Sequence, residues 1–223
     1  MKHLFIDTAN IDEIKEANSM GVIRGVTTNP SIIAKEPKGD FDALTENLAY
    51  YCGENNLSLS VEVFATEVDD IIKQSIAINE RLSPLCSNLY IKIPIGIGEL
   101  KAIKTLSKIG VLVNCTCCYN EQQMNLAVLA GAKYVSLFYA RLRDIGGNPN
   151  NVLERTANFI KQNDSDAKII AGSIRTSIEA VDAWNSGCHI VTTGFSTIKS
   201  MAGHPQTKAS VDKFMEDFKN WRA

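Results

Sequence analysis

Short apolar runs and amphipathic segments alternate along this chain, and the alternation limits its possible folds more than any other feature. Eight runs rich in Val, Ile and Leu have the length and flanking residues of β-strands. We expect strands at His3–Asp7, Val22–Thr28, Leu57–Phe64, Leu89–Ile95, Val111–Cys117, Tyr134–Phe138, Lys168–Ser173 and His189–Thr193. Each is followed by a helical pattern, so the sequence predicts a single (β/α)8 TIM barrel. An open doubly wound sheet is the alternative, although no G-x-G-x-x-G turn follows the first run.

The helices are predicted from their periodicity and from their start and stop signals. The first begins at Asn10, which has the spacing of a capping box with Glu13, and ends at Gly21. The second is predicted over Asp40–Cys52, with Gly53 as its stop. The others are predicted at Thr66–Leu82, Glu99–Ile109, Glu121–Ala130, Val152–Gln162, Ile178–Ser186, Thr197–Ala202 and Gln206–Trp221. We therefore expect one barrel domain over residues 1–223, with 206–221 as a C-terminal helix.

Composition narrows the class of protein. The 223 residues are 45% hydrophobic and 22% charged with a formal charge of -2, which argues against a general nucleic-acid or acidic-membrane binder. No apolar run approaches the roughly 20 residues that span a bilayer, and Met1–Asp7 is too short for a signal peptide. We expect a cytoplasmic protein. The six cysteines lack zinc-ribbon spacing and the three histidines are far apart, so we expect reduced thiols and no metal site.

One charged residue interrupts the fourth apolar run. Side chains alternate along a strand, so Ile91, Ile93 and Ile95 share one face while Tyr90 and Lys92 share the other. Burial favours the neutral form of an amine, which is the nucleophilic form. Lys92 is therefore a candidate nucleophile inside the barrel, and an edge-strand lysine that reaches solvent is the alternative.

Polar residues also occupy inward positions near the ends of seven strands. The active site of a (β/α)8 barrel lies at the C-terminal ends of its strands, so these residues are expected to meet there. They are Asp7, Thr27, Asn29, Glu62, Lys92, Asn114, Thr116, Ser136 and Ser173, with Arg141 and Arg175 just beyond the sixth and seventh strands and the apolar Phe138 on the same face as Ser136.

Several of these residues also have purely structural interpretations. Asp7 could cap the next helix, and Asn29 could be a turn residue before Pro30. Glu62 could be an ion-pair partner of Lys92.

The other polar positions also have structural interpretations when each is considered alone. Asn114 and Thr116 could only satisfy interior hydrogen bonds. Arg141 and Arg175 could form rim salt bridges, but two guanidiniums at one barrel mouth also suit bidentate phosphate binding. Taken together, the residues describe a lysine nucleophile, two carboxylates and an anion pocket.

Six segments carry a family resemblance that covers nearly the whole chain in order. They are Phe5–Thr8, Gly25–Ile32 (GVTTNPSI), Ile91–Pro94, Asn114–Thr116, Ser136–Arg141 with the following DIG at 144–146, and Gly172–Arg175. On these motifs the chain resembles the transaldolase family in its short form. The resemblance implies a class I aldolase barrel that moves a dihydroxyacetone unit between sugar phosphates without a metal or cofactor. It also implies a ring-like homo-oligomer, a decamer or pentamer, with helix 206–221 packed on a neighbour.

The resemblance assigns roles to the matching positions. Lys92 would form the Schiff base with the ketose carbonyl, and Asp7 would move the proton of the hydroxyl whose carbon–carbon bond breaks. Glu62 would shuttle protons through a water held by Thr116.

Eight further positions would bind substrate by the same resemblance. Asn29, Asn114 and Ser136 would hold the dihydroxyacetone hydroxyls, and Arg141, Ser173 and Arg175 would hold the phosphate. Thr27 and Phe138 complete this set.

The reaction expected from the resemblance is that of the pentose phosphate pathway: sedoheptulose 7-phosphate and glyceraldehyde 3-phosphate give erythrose 4-phosphate and fructose 6-phosphate. The alternative is a fructose 6-phosphate aldolase that releases free dihydroxyacetone. That branch typically carries Gln where Glu62 stands and Tyr where Phe138 stands. A non-catalytic sugar-phosphate-binding barrel is a remote alternative. Two departures bear on the site: Tyr139 would enter it if the strand bulged, and Arg143 stands where the family often has an acid.

Overall fold

Eight parallel strands form a closed barrel in the computed structural model, which describes residues 1–222. The strands follow one another in chain order around the barrel, and the first pairs with the last. Their bounds are β1 (His3–Asp7), β2 (Ile23–Thr27), β3 (Ser58–Glu62), β4 (Leu89–Pro94), β5 (Val113–Cys118), β6 (Tyr134–Phe138), β7 (Lys168–Ile174) and β8 (Ile190–Thr193). The predicted (β/α)8 barrel is therefore confirmed, and the open doubly wound alternative is wrong.

Eleven helices among residues 1–222 connect and cover the strands. They are α1 (Ile11–Ser19), α2 (Pro30–Ile33), α3 (Phe41–Glu54), α4 (Val68–Leu82), α5 (Ile97–Lys108), α6 (Glu121–Ala130), α7 (Tyr139–Asp144), α8 (Pro149–Gln162), α9 (Ser177–Asn185), α10 (Phe195–Ala202) and α11 (Pro205–Arg222). The sequence did not predict α2 and α7, which have only four and six residues.

The start of α1 agrees only in part with the predicted capping box. Asn10 is the N-cap, since its Oδ1 accepts hydrogen bonds from the backbone N–H of Asp12 at 3.0 Å and of Glu13 at 3.1 Å. The Glu13 side chain does not return to the Asn10 backbone. Its Oε2 accepts a hydrogen bond from the Thr8 hydroxyl at 2.7 Å, and Thr8 Oγ1 accepts from Asn10 N. Thr8 thus replaces Glu13 as the second partner in the cap.

Gly53 is not the stop of α3, because this helix continues through it to Glu54. A Cβ at Gly53 would lie 1.8 Å from the carbonyl oxygen of Leu85. The glycine lets α3 approach the chain that follows α4, so close packing, and not helix termination, requires it.

Two separate groups of apolar side chains are buried. The larger lies between the strands and the helices and includes Ile91 and Ile93, the outward face of β4. The smaller lies inside the barrel and consists of Phe5, Tyr134, Ile170 and Ile190 with half-buried Tyr90 against it. Below, we call this smaller group the aromatic layer. The Tyr90 and Tyr134 rings are stacked with centroids 3.8 Å apart, and the Phe5 and Tyr134 rings meet edge to face at 6.3 Å.

The last helix, α11, has 18 residues, and none of them is buried. Five large apolar residues on it are exposed: Val211, Phe214, Met215, Phe218 and Trp221. Most of them recur at spacings of three or four, which places them on one side of the helix. Within residues 1–222, no helix combines the length and the apolar character needed to cross a membrane.

Candidate active site

Two adjoining cavities lie at the C-terminal ends of the strands. The outer one has a volume of about 390 Å³ and is lined by Asp7, Asn29, Pro30, Ser31, Ile32, Lys35, Glu62, Cys117, Phe138, Arg141 and Ser173. The inner one, of about 30 Å³, is lined by Asp7, Thr27, Asn29, Lys92, Thr116, Ser136, Phe138, Gly172, Ser173 and Thr192. The structure therefore brings ten of the twelve predicted residues to one concave site. Asn114 and Arg175 are not among the lining residues.

Lys92 occupies the centre of this site. Glu62, Lys92 and Asn114 are register partners on β3, β4 and β5, so the three side chains start from the same level of the barrel. Lys92 is only 5% exposed, and its Nζ lies 3.2 Å from Glu62 Oε2 and donates to the Thr28 carbonyl at 2.9 Å. The prediction that Lys92 points into the barrel is confirmed, and the edge-strand alternative is wrong.

Glu62 is buried almost as deeply as its partner, with a side chain 10% exposed. Burial is the largest influence on it and raises the pKa of its carboxyl, while the charge and hydrogen bond of Lys92 act in the opposite direction. Asp7, across the site, raises the pKa of Glu62 slightly further through like-charge repulsion. A carboxyl held in this way can take and return protons next to the amine.

A chain of hydroxyls orients Asp7. Thr27 Oγ1 donates to Asp7 Oδ1 at 2.6 Å and lies 2.6 Å from Thr192 Oγ1. Because a hydroxyl has one hydrogen, Thr27 uses its own on Asp7 and accepts the hydrogen of Thr192. Asp7 is not a helix cap, since Asn10 caps α1.

Asn114 is fully buried behind the inner cavity. Its Nδ2 donates to Ser60 Oγ at 3.2 Å, and its Oδ1 accepts from Ser136 Oγ at 2.7 Å. These bonds fix the position of Ser136, which lines the inner cavity. The amide therefore orders polar groups from three strands at the level of Lys92.

Thr116 and Asn29 face the same inner cavity. Thr116 Oγ1 is buried and has no hydrogen-bond partner among residues 1–222. Asn29 is the N-cap of α2, where its Oδ1 accepts from Ile32 N at 3.0 Å. The structural role of Asn29 is thus that of a helix cap, and its Nδ2 remains a donor beside the cavity.

The outer cavity has a cationic and aromatic side. The Arg141 guanidinium lies 4.6 Å from the centroid of the Phe138 ring, and Tyr119 packs edge to face on that ring at 5.7 Å. The exposed Lys35 adds a second cation to the lining.

Two lining residues have left-handed backbones although neither is glycine. Cys117 has a φ of 60° and Ser173 a φ of 59°. Both sit where strand register shifts, between β5 and β6 and between β7 and β8. Such conformations cost about 1–3 kcal/mol and concentrate at functional sites.

Arg175 lies at the rim of the barrel. Its Nη1 is 2.7 Å from Asp144 Oδ2, and its side chain is 51% exposed. This contact matches the rim salt bridge that the sequence left open as the alternative to phosphate binding.

Comparison with known proteins decides the family. Residues 4–223 match the family described as Transaldolase/Fructose-6-phosphate aldolase. The chain belongs to this family. The relationship inferred from the sequence motifs is thereby confirmed.

Relatives in the transaldolase family match over almost their full length. The chain is 39% identical over 214 residues to a "Probable transaldolase" of Bacillus cereus, covering 96% of each chain. It is 40% identical over 215 residues to a "Probable transaldolase" of Clostridium botulinum, covering 96% of this chain and 95% of that one. A designed cube-shaped protein cage, made by fusing symmetric oligomeric domains, aligns with a TM-score of 0.60 at 11% identity over 100% of this chain and 78% of its own. That likeness concerns the fold alone.

Several residues of this site were not in the predicted set, and four of them carry polar side chains close to the predicted ones. Thr192 and Cys117 line the cavities, Lys35 follows α2, and Ser60 supports Asn114. Thr192 could have been found, because it has the same strand parity as inward-facing Ile190. Lys35 could not, since it follows a helix too short to give a periodic signal.

Tyr139 stays out of the site. It begins α7, is buried against the outer apolar group, and its hydroxyl donates to Asn150 Oδ1 at 2.7 Å. Within residues 1–222, no group of three or more His, Cys, Asp or Glu side chains is arranged to hold a metal ion.

Proposed function

We propose that this protein acts as a transaldolase, which transfers a dihydroxyacetone unit from a ketose phosphate to an aldose phosphate through a Schiff base on Lys92. The observation that carries the proposal is the buried Lys92 amine, 3.2 Å from the Glu62 carboxyl and in one cavity with Asp7. A buried amine with a proton acceptor in reach is the arrangement that imine chemistry requires. Sedoheptulose 7-phosphate and fructose 6-phosphate are the proposed donors, and the proposed role is in the pentose phosphate pathway.

The first steps form the imine. The Lys92 ammonium first passes a proton to Glu62, and the amine so freed attacks the ketose C2 carbonyl; the carbinolamine then takes up the Glu62 proton and loses its hydroxyl as water to give the iminium. Glu62 is the nearest carboxyl to Nζ, and its raised pKa suits it to accept the amine proton and return it to the departing hydroxyl. The unpartnered Thr116 hydroxyl supports a role in holding the water that carries these protons.

The next steps break and remake a carbon–carbon bond. Asp7 takes the proton of the C4 hydroxyl, the C3–C4 bond breaks, and its electron pair moves to the iminium as an enamine. The aldehyde product leaves, the enamine attacks an acceptor aldehyde, and Asp7 returns its proton to the new hydroxyl. Hydrolysis of the iminium then frees Lys92. The hydroxyl chain from Thr192 through Thr27 supports this role, because it aims the Asp7 carboxyl into the cavity.

The remaining residues are proposed to hold the substrate. Ser136 and Asn29 line the inner cavity and would bind the dihydroxyacetone hydroxyls, with Asn114 acting on the same unit. Phe138 would form the wall beside them. We place the phosphate at the outer cavity with Arg141 and Ser173, which line it.

Arg175 is proposed as a third phosphate partner. Asp144 occupies its Nη1, and a guanidinium has five N–H donors, so others can reach an anion.

Schiff-base trapping tests the chemistry. The protein is incubated with fructose 6-phosphate, reduced with borohydride and mapped by peptide mass. We expect the adduct on Lys92 only, and the matched variant Lys35→Met, which removes the exposed cavity lysine, should be labelled as wild type. An unmodified Lys92 in the wild type would refute the proposal.

Acceptor dependence separates the transferase from its sister activity. Turnover of fructose 6-phosphate should require an aldose phosphate acceptor. Free dihydroxyacetone produced at full rate without acceptor would instead identify the aldolase, and sugar-phosphate binding without turnover would identify a non-catalytic barrel. Glu62 and Phe138 follow the transferase pattern of the family resemblance, which is why we place the transferase first.

We also propose that the protein forms a homo-oligomer, a pentamer or decamer, through α11. The helix has 18 residues with none buried, and it exposes five large apolar side chains, a surface that a second copy would cover. Light scattering of the wild type gives the number of protomers, and a monomer at micromolar concentration would contradict this part.

A further inference from the structure

Four residues form a closed ring of contacts at the rim of the barrel. Arg143 and Asp144 belong to α7, Glu179 belongs to α9, and Arg175 lies in the turn between β7 and α9. Arg143 Nη2 is 3.0 Å from Asp144 Oδ1, and Asp144 Oδ2 is 2.7 Å from Arg175 Nη1. Arg175 N donates to Glu179 Oε2 at 2.7 Å, and an ion pair between Glu179 Oε1 and Arg143 Nη1 closes the ring.

Glu179 is the buried member of this ring. It is 5% exposed, and its Oε2 also accepts from Thr176 N at 3.1 Å, which completes a capping box at the start of α9. A cap needs only one of its two carboxylate oxygens. The other oxygen pairs with Arg143 across the rim, so this carboxylate joins two segments that are separate in sequence.

Both joined segments carry residues of the cavity. Arg141 is in α7, two residues before Arg143, and Ser173 lies two residues before Arg175. Ser173 holds a left-handed φ of 59°, a conformation that persists only where its surroundings fix it. Glu179 supplies such support, because it binds the backbone N–H groups that follow.

A second ion pair, between Asp144 and Arg175, also connects α7 with the turn after β7. The hydrogen bonds from both arginines hold the pKa of the Asp144 carboxyl below its usual range, so it stays ionised at neutral pH. The Arg175 guanidinium is therefore held at the rim by a permanent charge.

We infer that Glu179 is a positioning residue, which through Arg143 and the Arg175 backbone aligns α7 with the turn after β7 so that Arg141 and Ser173 bind one phosphate together. The inference rests on the proposed function for the identity of the phosphate. Its alternative is a ring that only stabilises the fold.

The test replaces Glu179 by glutamine, because an amide oxygen can keep the cap while the ion pair with Arg143 is lost. We expect the KM for fructose 6-phosphate and the dissociation constant of inorganic phosphate to rise about tenfold or more, since small misplacements of binding groups are costly. Borohydride trapping of saturating dihydroxyacetone, which has no phosphate, should keep its wild-type rate. The matched control is Glu121→Gln, which breaks the ion pair of Glu121 with Arg155 on the neighbouring helices, and it should change none of these values.

A second variant, Arg143→Met, keeps the inference falsifiable if the first fails to fold. It should show at least the same loss of phosphate affinity, and the double variant should be no worse than Arg143→Met alone, because both substitutions remove the ion pair between Glu179 and Arg143. Unchanged phosphate affinity in both variants would overturn the inference, and so would an equal fall in phosphate binding and dihydroxyacetone trapping. If wild type fails to trap dihydroxyacetone, the proposed chemistry is wrong, while calorimetry with inorganic phosphate still tests the positioning.

Discussion

Replacing Lys92 with methionine tests the central ion pair through the pH dependence of stability. Methionine keeps the length and much of the volume of the lysine stem, so the change removes the amine with little loss of packing. Glu62 then remains buried without the cation that lies 3.2 Å from it. Since Lys92 is the group that opposes the effect of burial, the pKa of Glu62 should rise further in the variant.

The sign and size of the effect follow from linkage. A carboxyl whose pKa is higher in the folded than in the unfolded state favours folding at low pH, and this contribution is lost as pH rises toward the folded pKa. The destabilisation by Lys92→Met should therefore be small near pH 5 and grow toward pH 8. One proton limits the slope to about 1.4 kcal/mol per pH unit. Breaking a buried pair typically costs about 3–5 kcal/mol, which sets the expected plateau.

The assay is denaturant unfolding at pH 5, 6, 7 and 8 at one protomer concentration. Wild type, Lys92→Met, the double variant Lys92→Met with Glu62→Gln, and the exposed control Lys35→Met are compared. We expect the growth of the destabilisation from pH 5 to pH 8 to disappear in the double variant and to be absent from the control. A destabilisation by Lys92→Met that is equal at all four pH values would refute the coupling of this amine to Glu62.

Three further predictions address packing, the hydroxyl chain and assembly. Gly53→Ala should lower the unfolding free energy by about 1–3 kcal/mol in urea titrations, because its Cβ would meet the Leu85 carbonyl; the usual helix-interior gain of about 1 kcal/mol would contradict this. Thr27→Val should lower kcat about tenfold in a coupled assay with little change in Tm, since Asp7 loses its donor at 2.6 Å. A large fall in Tm together with the fall in kcat would indicate a structural role only. Phe214→Ser on the exposed face of α11 should reduce the mass measured by light scattering, and an unchanged mass would place the contact elsewhere.

Period-two alternation accounts for the part of the site that the sequence predicted. Lys92 and Glu62 face each other because inward positions on neighbouring parallel strands come into register. Both are charged residues within aliphatic runs, so the sequence alone identified them as candidates. Most of the barrel followed from the same pattern, with glycines such as Gly21 and Gly131 in left-handed positions after helices.

The sequence fell short where tertiary contacts decide the outcome. Gly53 looks like a helix stop, yet the reason for the glycine is a carbonyl on a different segment. Ser173 has a left-handed backbone that interrupts the alternation, and nothing in local propensity indicates it. Arg175 has a long side chain whose partner depends on α7, a helix too short to give a periodic signal.

The aromatic layer also limits the direction from which a substrate can reach Lys92. Tyr90 comes two residues before Lys92 on the inward face of β4, and its ring stacks on Tyr134 across the barrel interior. The aromatic layer therefore fills the barrel interior on the side of Lys92 away from the two cavities, and we expect the cavity mouth at the C-terminal ends of the strands to be the entrance to the amine. For the proposed chemistry, the first aldehyde has to depart through that entrance before the second can arrive. Double-reciprocal plots at several fixed acceptor concentrations should accordingly be parallel lines, which are the signature of a ping-pong mechanism.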